Sequence, residues 1–313
     1  MSTMVETLTR TRDVLSGGEW NPAGIRDLYH LAADVKLHPE RYRSALAGRS
    51  VAMIFEKPSL RTRVTFEVGI QNLGGTAVFL DHEQSRLGER EEIKDVARSL
   101  ECWVRGIVAR TFEHAVLEEL AEYASIPVIN ALSNRFHPCQ ALADFFTLEE
   151  LFGHLRGFEM AYVGDGNNMC HSLMLAAARL GVHLRVATPV GYDPDPAVVN
   201  EARRAARETR GHIDVVTDPA EAVQGARAVY TDVSVSMGQE QQATEREPIF
   251  APYQVTEQLM ELAAPDAIFM HCLPAHRGSE VAPAVIDSER SVIYHQAQNR
   301  LHVQNAILLT LLD

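Results

Sequence analysis

Short apolar runs alternate with amphipathic segments along almost the whole chain, and few hairpin signals separate them. Apolar runs bounded by helical periodicity are typical of buried parallel strands that are joined by crossover helices. In the first half, the predicted strands are 50–56, 76–81, 105–110 and 126–131. The pattern therefore predicts a parallel sheet with helices on both faces.

The same pattern restarts after a predicted helix near 139–152. In the second half, the predicted strands are 158–166, 183–189, 212–218, 228–233 and 267–274, with 291–296 as one further strand. The expected fold class is therefore α/β, with two domains that each contain a parallel sheet flanked by helices.

The boundary between the two domains is expected near residue 145. The first domain then covers 1–145 and the second covers 146–296. The last segment, 297–313, has the periodicity of an amphipathic helix, and we expect it to pack back on the first domain.

Charge and composition exclude several classes of protein. The 313 residues carry a net charge of −13, which argues against a general binder of nucleic acid or of acidic membranes. The chain contains no run of about 18 apolar residues, so we expect no transmembrane helix. The four cysteines form no CxxC pair, so we interpret them as reduced thiols of a cytoplasmic protein.

The stretch FEKPSLRTRV places Arg61 and Arg63 at the start of a predicted helix, after Ser59. Basic side chains are not favoured there, because the first turn of a helix already carries partial positive charge. A bound anion would explain them, held by backbone N–H groups and clamped by Arg61. Arg110 ends one predicted strand, and His137 and Gln140 follow the neighbouring one, so this half suits a phosphate or an acyl phosphate.

The polar residues of the second half have a different character. Asn168, Asp232 and Ser236 all lie at or just beyond the carboxyl ends of predicted strands, and together they can bind the ammonium and carboxylate groups of an amino acid. The segment VGDGNN resembles a dinucleotide loop, but it departs from GxGxxG after the second glycine. A nucleotide is therefore not favoured.

Simpler interpretations exist for each cluster. The arginines of the first half could be solvated, and the charged segment 81–92 could be a plain surface loop. Asp232 could cap a helix, and Cys272 could be a buried structural thiol. His271, Cys272 and His276 are possible metal ligands, but their spacing matches no common structural zinc pattern.

Six motifs, taken in order, resemble the aspartate/ornithine carbamoyltransferase family, most closely its ornithine-type branch. They are FEKPSLRTR, FHPCQALAD, VGDGNN, DVSVSMGQE, HCLPAHRG and QNRLH, and they span nearly the whole chain. The pair SMG and HCLP is specific to the ornithine-type branch. The resemblance implies a first domain that binds carbamoyl phosphate and a second that binds the amine acceptor, with domain closure over the reactants. It also implies a homotrimer, or an assembly of trimers, with active sites at subunit interfaces, and no cofactor or metal.

The resemblance also implies roles for individual residues. Those implied to bind carbamoyl phosphate are Ser59, Leu60, Arg61, Thr62, Arg86, Arg110, His137, Gln140, Cys272, Leu273 and Arg300. Those implied to bind ornithine are Asn168, Asp232, Ser236 and Met237. Among all of these, the implied catalytic residues are Arg110, His137, Cys272 and Arg300, whereas Arg63 receives no substrate contact.

Three positions depart from the family pattern. Leu60 stands where Thr is usual, and Ser234 stands where Trp is usual. Arg86 replaces a Gln that reaches the active site of a neighbouring subunit in many members. The departure at Ser234 bears on the choice of acceptor, and the departure at Arg86 bears on the contact between subunits.

The expected reaction transfers the carbamoyl group of carbamoyl phosphate to the side-chain amine of L-ornithine, giving L-citrulline and phosphate. Putrescine or an N-acylated ornithine is the alternative acceptor. A catalytically silent paralogue that only binds these ligands is the alternative from another class.

Overall fold

The computed structural model describes residues 11–81, 86–234 and 243–313. The chain forms two compact units. Unit 1 contains Met1–Phe146 and Gln298–Asp313, and unit 2 contains Thr147–Ala297.

Unit 1 alternates strands and helices in the order expected of a parallel sheet. Its elements are α1 (Pro22–Leu37), β1 (Ser50–Phe55), α2 (Leu60–Asn72), β2 (Thr76–Asp81), α3 (Ile93–Glu101), β3 (Gly106–Arg110), α4 (His114–Tyr123) and β4 (Val128–Leu132). Two further helices, α5 (Pro138–Phe152) and α12 (Ile293–Leu312), each contain a boundary with unit 2.

The sheet of unit 1 has four parallel strands in the order β2-β1-β3-β4. Every residue of β3 is buried, because this central strand has helices over both faces. The edge strand β2 is half exposed. The C-terminal helix packs on this unit through the buried Val303, Ala306 and Ile307, and Lys36 of α1 donates to Asn299 at 2.9 Å.

Unit 2 repeats the alternation. Its elements are β5 (Glu159–Val163), α6 (Asn168–Leu180), β6 (His183–Ala187), α7 (Pro196–Thr209), β7 (His212–Val216), α8 (Pro219–Val223), β8 (Ala228–Thr231), α9 (Ala243–Phe250), α10 (Glu257–Met260), β9 (Ile268–His271) and α11 (Pro283–Ile286). The five strands are parallel and lie in the order β7-β6-β5-β8-β9. The predicted fold class, including the packing of the C-terminal helix, is confirmed.

The predicted strand at 291–296 is wrong. Ser291 makes only an isolated bridge to Phe269, and α12 begins two residues later at Ile293. The buried positions that follow are 293, 296, 299 and 300, which is the spacing of one helix face. Ile293 therefore starts a helix, and the apolar pair at 292 and 293 does not form a strand.

Each sheet reverses its strand order at one point, between β1 and β3 in unit 1 and between β5 and β8 in unit 2. Ligands of open parallel sheets bind at such points, beyond the carboxyl ends of the strands. Among the described residues, no helix is long and apolar enough to cross a membrane.

Candidate functional site

A buried carboxylate organises the carboxyl end of the unit 1 sheet. Glu56 directly follows β1 and is 3% exposed. It accepts hydrogen bonds from the backbone N–H groups of Leu87 and Phe112, each at 2.8 Å. One side chain at the end of β1 therefore holds the segments that follow β2 and β3. Sequence reasoning missed Glu56, although its position directly after a buried strand is the signal that could have found it.

The first turn of α2 presents backbone N–H groups without an acidic partner in that turn. Ser59 occupies the N-cap position with an extended backbone, and within the described chain its hydroxyl makes no capping hydrogen bond. Arg61 is half-buried in the same turn, and Leu60 is 74% exposed. Unsatisfied N–H groups beside a guanidinium form a binding site for an anion.

Arg63 lies on the outer face of α2 and has other partners. Its guanidinium stacks on the ring of Phe79, 3.6 Å from the centroid, and its Nε lies 3.7 Å from Glu67. Arg63 therefore fastens α2 to strand β2, and Arg61 remains the candidate anion ligand of this turn.

Four more predicted residues come together in the interior of unit 1. Arg300 of α12 donates to the hydroxyl of Thr62 at 2.6 Å, and both side chains are buried. Burial lowers the pKa of His137 well below its ordinary value, and the charges of Arg300 and Arg110 lower it further. His137 is therefore a neutral imidazole at neutral pH, able to donate one hydrogen bond without adding charge.

Gln140 lies in the first turn of α5 and is 1% exposed. Its Nε2 donates to Asp144 Oδ1 at 2.8 Å, which fixes the orientation of the amide. Its buried Oε1 has no hydrogen-bond partner among the described residues. A buried carbonyl oxygen without a hydrogen bond costs free energy, so an N–H donor of a ligand would bind favourably there.

Two cationic side chains share one aromatic ring at the rim of this region. The Nζ of Lys57 lies 4.4 Å from the ring centroid of Phe112, and the guanidinium of Arg86 lies 4.0 Å from it. Burial and the nearby charge of Arg110 lower the pKa of Lys57. Lys57 therefore adds positive charge beside the anion site, and it is a second residue that sequence reasoning missed.

In unit 2, the start of α6 is tied to the end of β8. Asn167 is the N-cap of α6, and its Oδ1 accepts from the N–H groups of Met169 and Cys170 at 2.9 and 3.1 Å. Its Nδ2 donates to Asp232 Oδ2 at 2.9 Å. Asn168, the residue singled out from the sequence, is the first residue of α6 and half-buried beside this cap.

Asp232 and Cys272 lie together at the ends of β8 and β9. The Cys272 thiol donates to Asp232 Oδ1 at 3.0 Å, and Asp232 is 7% exposed. The nearest described helix after β8 begins at Ala243, so Asp232 is not the cap of that helix. Ser236 and Met237 lie outside the described residues.

The segment after β9 is held by a buried pair of side chains. The Leu273 N–H donates to His271 Nδ1 at 2.8 Å, so the ring proton is on Nε2, which lies 3.3 Å from Glu280 Oε1. Glu280 also accepts from the His276 N–H at 2.6 Å. Burial raises the pKa of Glu280, but these hydrogen bonds outweigh burial and the pKa lies below its ordinary value. Leu273 adopts a left-handed backbone (φ 60°) within this support.

Asp232, His271 and Cys272 offer three donor atoms within 4.8 Å of one another. His276, which the sequence also suggested as a ligand, is not part of that group. Both ring nitrogens of His271 already take part in the hydrogen bonds described above. The arrangement is therefore explained by hydrogen bonding without an ion.

A buried ion pair supports the segment that follows Asp232. Arg246 of α9 donates to Asp165, and its Nε donates to the Ser234 carbonyl at 2.6 Å. Its guanidinium lies 4.6 Å from the ring centroid of Tyr192 and 4.9 Å from that of Phe250. Burial raises the pKa of Asp165 to about 6, against the lowering effect of Arg246. No local sequence signal points to Arg246, because its partners are distant in the chain.

Family models match both halves of the chain. The model described as the carbamoyl-P binding domain of aspartate/ornithine carbamoyltransferase matches residues 12–150. The model described as the Asp/Orn binding domain matches residues 156–311.

Relatives and solved structures agree with these matches. The chain is 53% identical to the ornithine carbamoyltransferase of Anoxybacillus flavithermus over 304 residues, which is 96% of each chain. It is 52% identical to the anabolic ornithine carbamoyltransferase of Pyrococcus furiosus over 84% of each chain. The solved ornithine carbamoyltransferase of P. furiosus superposes with a TM-score of 0.93 at 47% identity, covering 96% of this chain and 97% of the other. This chain belongs to the aspartate/ornithine carbamoyltransferase family.

Proposed function

We propose that this protein transfers the carbamoyl group of carbamoyl phosphate to the side-chain amine of L-ornithine, giving L-citrulline and phosphate. The family and the names of its relatives support this reaction. The observation that carries the choice of acceptor is the buried carboxylate of Asp232, held by Asn167 and Cys272 at the carboxyl end of β8.

Carbamoyl phosphate is proposed to bind in unit 1. Its phosphate accepts from the N–H groups at the start of α2, from Ser59 and from Arg61. Its carbonyl oxygen accepts from Thr62, Arg110, His137 and Arg300. Because His137 is neutral, it donates without the desolvation cost of another buried cation.

The carbamoyl amino group is proposed to donate to Gln140. The Oε1 of that side chain is a buried acceptor with an orientation already fixed by Asp144. The backbone of Leu273 is a second proposed acceptor, since its left-handed conformation is fixed by His271. These contacts distinguish a carbamoyl group from an acetyl group.

Ornithine is proposed to bind in unit 2. Asp232 binds its α-ammonium group, and Asn168, Ser236 and Met237 bind the rest of the amino-acid end. Cys272, which donates to Asp232, is proposed to face the side-chain amine. An acetylated nitrogen is uncharged and cannot form an ion pair with this carboxylate. Free ornithine is therefore favoured over N-acetylornithine.

The chemistry needs only the protein's own groups. The neutral δ-amine attacks the carbonyl carbon, a C–N bond forms, and negative charge develops on the carbonyl oxygen. Donors fixed in advance around that oxygen stabilise the charge. The bond to phosphate then breaks, and phosphate accepts the amine proton. Holding the two reactants in line contributes on the order of 7–11 kcal/mol at best.

We further propose that the protein is a cytoplasmic homotrimer or an assembly of trimers. The outer face of α2 exposes Leu60, Val64 and Val68, and the neighbouring edge strand exposes Val78. Such an apolar face on an edge is suited to a subunit interface. The four cysteines are all free, in keeping with a reducing compartment.

The acceptor is tested by turnover with a panel of amines. Citrulline formation from ornithine, with a lower kcat/KM for putrescine and N-acetylornithine, is the expected result. A preference for either of the other amines would refute the acceptor and leave carbamoyl transfer intact. No turnover with any amine would favour a ligand-binding paralogue.

Arg86 is proposed to reach the active site of an adjacent subunit. If it does, mixing inactive Arg61→Ala subunits with inactive Arg86→Ala subunits restores part of the activity in hybrid trimers. Subunit exchange is checked with differently tagged chains. Exchange without recovered activity would show that Arg86 serves its own subunit.

A further inference from the structure

The C-terminal helix α12 comes very close to α2 at one glycine. Gly69 lies in the third turn of α2, where glycine is disfavoured because it loses more backbone entropy than other residues and adds no side-chain contact. It is buried, and a Cβ at this position would overlap Asn305 Oδ1 of α12 and lie 3.5 Å from Leu301 Cδ1. The missing side chain therefore determines how closely the two helices approach.

A second glycine contacts the far end of the same helix. Gly106 begins β3, and a Cβ there would lie 2.9 Å from Leu312 Cδ2, which is closer than two carbon atoms approach without strain. Asn305 and Leu312 are about 10 Å apart along the axis of α12. All of these residues belong to unit 1. The helix is therefore held against the unit at two separate points.

The part of α12 that precedes these contacts carries a residue of the proposed active site. Arg300 Nη2 donates to Thr62 Oγ1 at 2.6 Å, and Thr62 lies in the first turn of α2. Arg300 and Asn305 are about 7.5 Å apart along the helix axis. The close approach at Gly69 and the hydrogen bond at Thr62 therefore join the same two helices, and the approach at Gly69 limits how far Arg300 has to reach.

We propose that Gly69 is a positioning residue for Arg300, because the absence of a side chain in this turn lets α12 lie close enough to α2 for the guanidinium to reach the carbamoyl oxygen. The inference rests on the proposed function, in which Arg300 stabilises the charge that develops on that oxygen. A group misplaced by about 1 Å can reduce a rate by about a hundredfold. The spacing of the two helices therefore controls the rate of the reaction.

Side-chain rotation at Asn305 does little to accommodate a methyl group on Gly69. Rotation about χ2 exchanges Oδ1 for Nδ2, which is no smaller. The added Cβ would also lie 3.4 Å from Asn305 Cγ, so the whole amide is close to it. Asn305 is 3% exposed, and one of its three χ1 rotamers is rare in helices. Because Leu312 holds the far end of α12 at Gly106, the methyl group displaces the end that carries Arg300.

The test compares two glycine-to-alanine variants in helices of unit 1. Gly69→Ala should lower kcat for citrulline formation by about 10–100-fold. Its affinity for inorganic phosphate, measured by calorimetry, should be unchanged, because Ser59 and Arg61 lie at the start of α2 itself. Gly24→Ala is the matched control, since Gly24 is also buried in a helix and a Cβ there would have its nearest neighbour at 3.6 Å. The control should change neither value.

A second substitution separates positioning from a general loss of stability. Asn305→Ala removes the amide that the methyl group meets, so the double variant Gly69→Ala/Asn305→Ala should recover most of kcat. Asn305→Ala alone should be close to the wild type, because within the described residues the buried Oδ1 accepts no hydrogen bond. Alanine favours a helix more than glycine does, so helix propensity acts against the expected loss. Wild-type kcat in Gly69→Ala, or no recovery in the double variant, would overturn the proposal.

A crystal structure of Gly69→Ala tests the position of Arg300 without the reaction. Arg300 Nη2 and Thr62 Oγ1 should separate beyond about 3.5 Å, where a hydrogen bond is lost. If they do and the wild type makes no citrulline, the proposed function is refuted and the role of Gly69 in placing Arg300 stands. If Gly69→Ala does not fold, Asn305→Leu applies a smaller push from the other helix, because a methyl group replaces Oδ1. An unchanged distance in the folded variant would overturn the inference.

Discussion

The two units have the same architecture and collect opposite charges at the carboxyl ends of their strands. In unit 1, the charges of Arg300 and Arg110 act on His137, whose burial keeps it neutral, and Arg61 adds a third cation in the first turn of α2. In unit 2, the buried group at the equivalent place is the carboxylate of Asp232. A parallel sheet therefore determines where a ligand binds, and the side chains after its strands determine the charge of that ligand.

The buried charged residues that hold the two sites in place also have opposite charges. In unit 1 a buried acid, Glu56, accepts from two backbone N–H groups. In unit 2 a buried base, Arg246, donates to a backbone carbonyl and to Asp165. The cationic site of unit 1 is thus supported by a buried carboxylate, and the anionic site of unit 2 is supported by a buried guanidinium.

The largest expected effect is on the unit 2 site. Asp232→Asn removes the partner of the α-ammonium group, and it should lower kcat/KM for ornithine by about 2–4 kcal/mol in transition-state terms. Carbamoyl phosphate binding should be nearly intact, since the residues proposed to bind its phosphate belong to unit 1. Steady-state kinetics with ornithine, and calorimetry with carbamoyl phosphate, make the comparison. An equal loss of free energy in kcat/KM for ornithine and in carbamoyl phosphate binding would contradict the proposal that each unit binds a different substrate.

A second prediction compares how one buried titratable group in each unit makes the stability of the protein depend on pH. The pKa of Asp165 rises from 3.8 to about 6 on folding, so its contribution to stability is full below about pH 4 and is lost as pH rises through 6. The shift corresponds to no more than about 3 kcal/mol. The free energy of unfolding of the wild type, minus that of Asp165→Asn, should therefore fall between about pH 4 and pH 6.

His137 should give the opposite slope. Its folded pKa lies well below 6.5, so its contribution is present above pH 6.5 and is lost as pH falls below that value. The free energy of unfolding of the wild type, minus that of His137→Gln, should therefore rise with pH up to about 6.5. Urea unfolding at several pH values measures both differences, and slopes of the same sign would contradict the comparison.

A third prediction separates the two arginines at the start of α2. Arg61→Ala should weaken carbamoyl phosphate binding by about 1.5–3 kcal/mol, because the phosphate loses a charge-assisted partner. Arg63→Ala is the matched control, since Arg63 stacks on Phe79 and should affect mainly stability. Calorimetry that found unchanged affinity in Arg61→Ala would rule out the anion site.

The smallest effect is expected from the support behind unit 1. Glu56→Gln keeps the size of the side chain but turns one of its two acceptors into a donor facing an N–H. The loss should be about 1–2 kcal/mol in the free energy of unfolding. Thermal unfolding should show it, with a rise in KM for carbamoyl phosphate as the segments after β2 and β3 loosen. An unchanged melting temperature would mean that Glu56 does not hold these segments.

The sequence determined the alternation of strands and helices, and hence the parallel sheets and their ligand-binding ends. Local patterns were sufficient there, because strand and helix periods are properties of neighbouring residues. The same locality explains the error at 291–296, where a short apolar run fits the start of a helix as well as a strand.

Tertiary structure decided which side chains share a partner. Arg300 donates to Thr62 across 238 positions of sequence, and Glu56 binds the N–H of Phe112 across 56. Arg246 reaches Asp165 across 81. No local period encodes such pairs, since they form only after helices and strands distant in sequence pack against one another. The fate of a buried charge, and therefore the pKa of His137 and of Asp165, depends on those neighbours and is determined only by the folded chain.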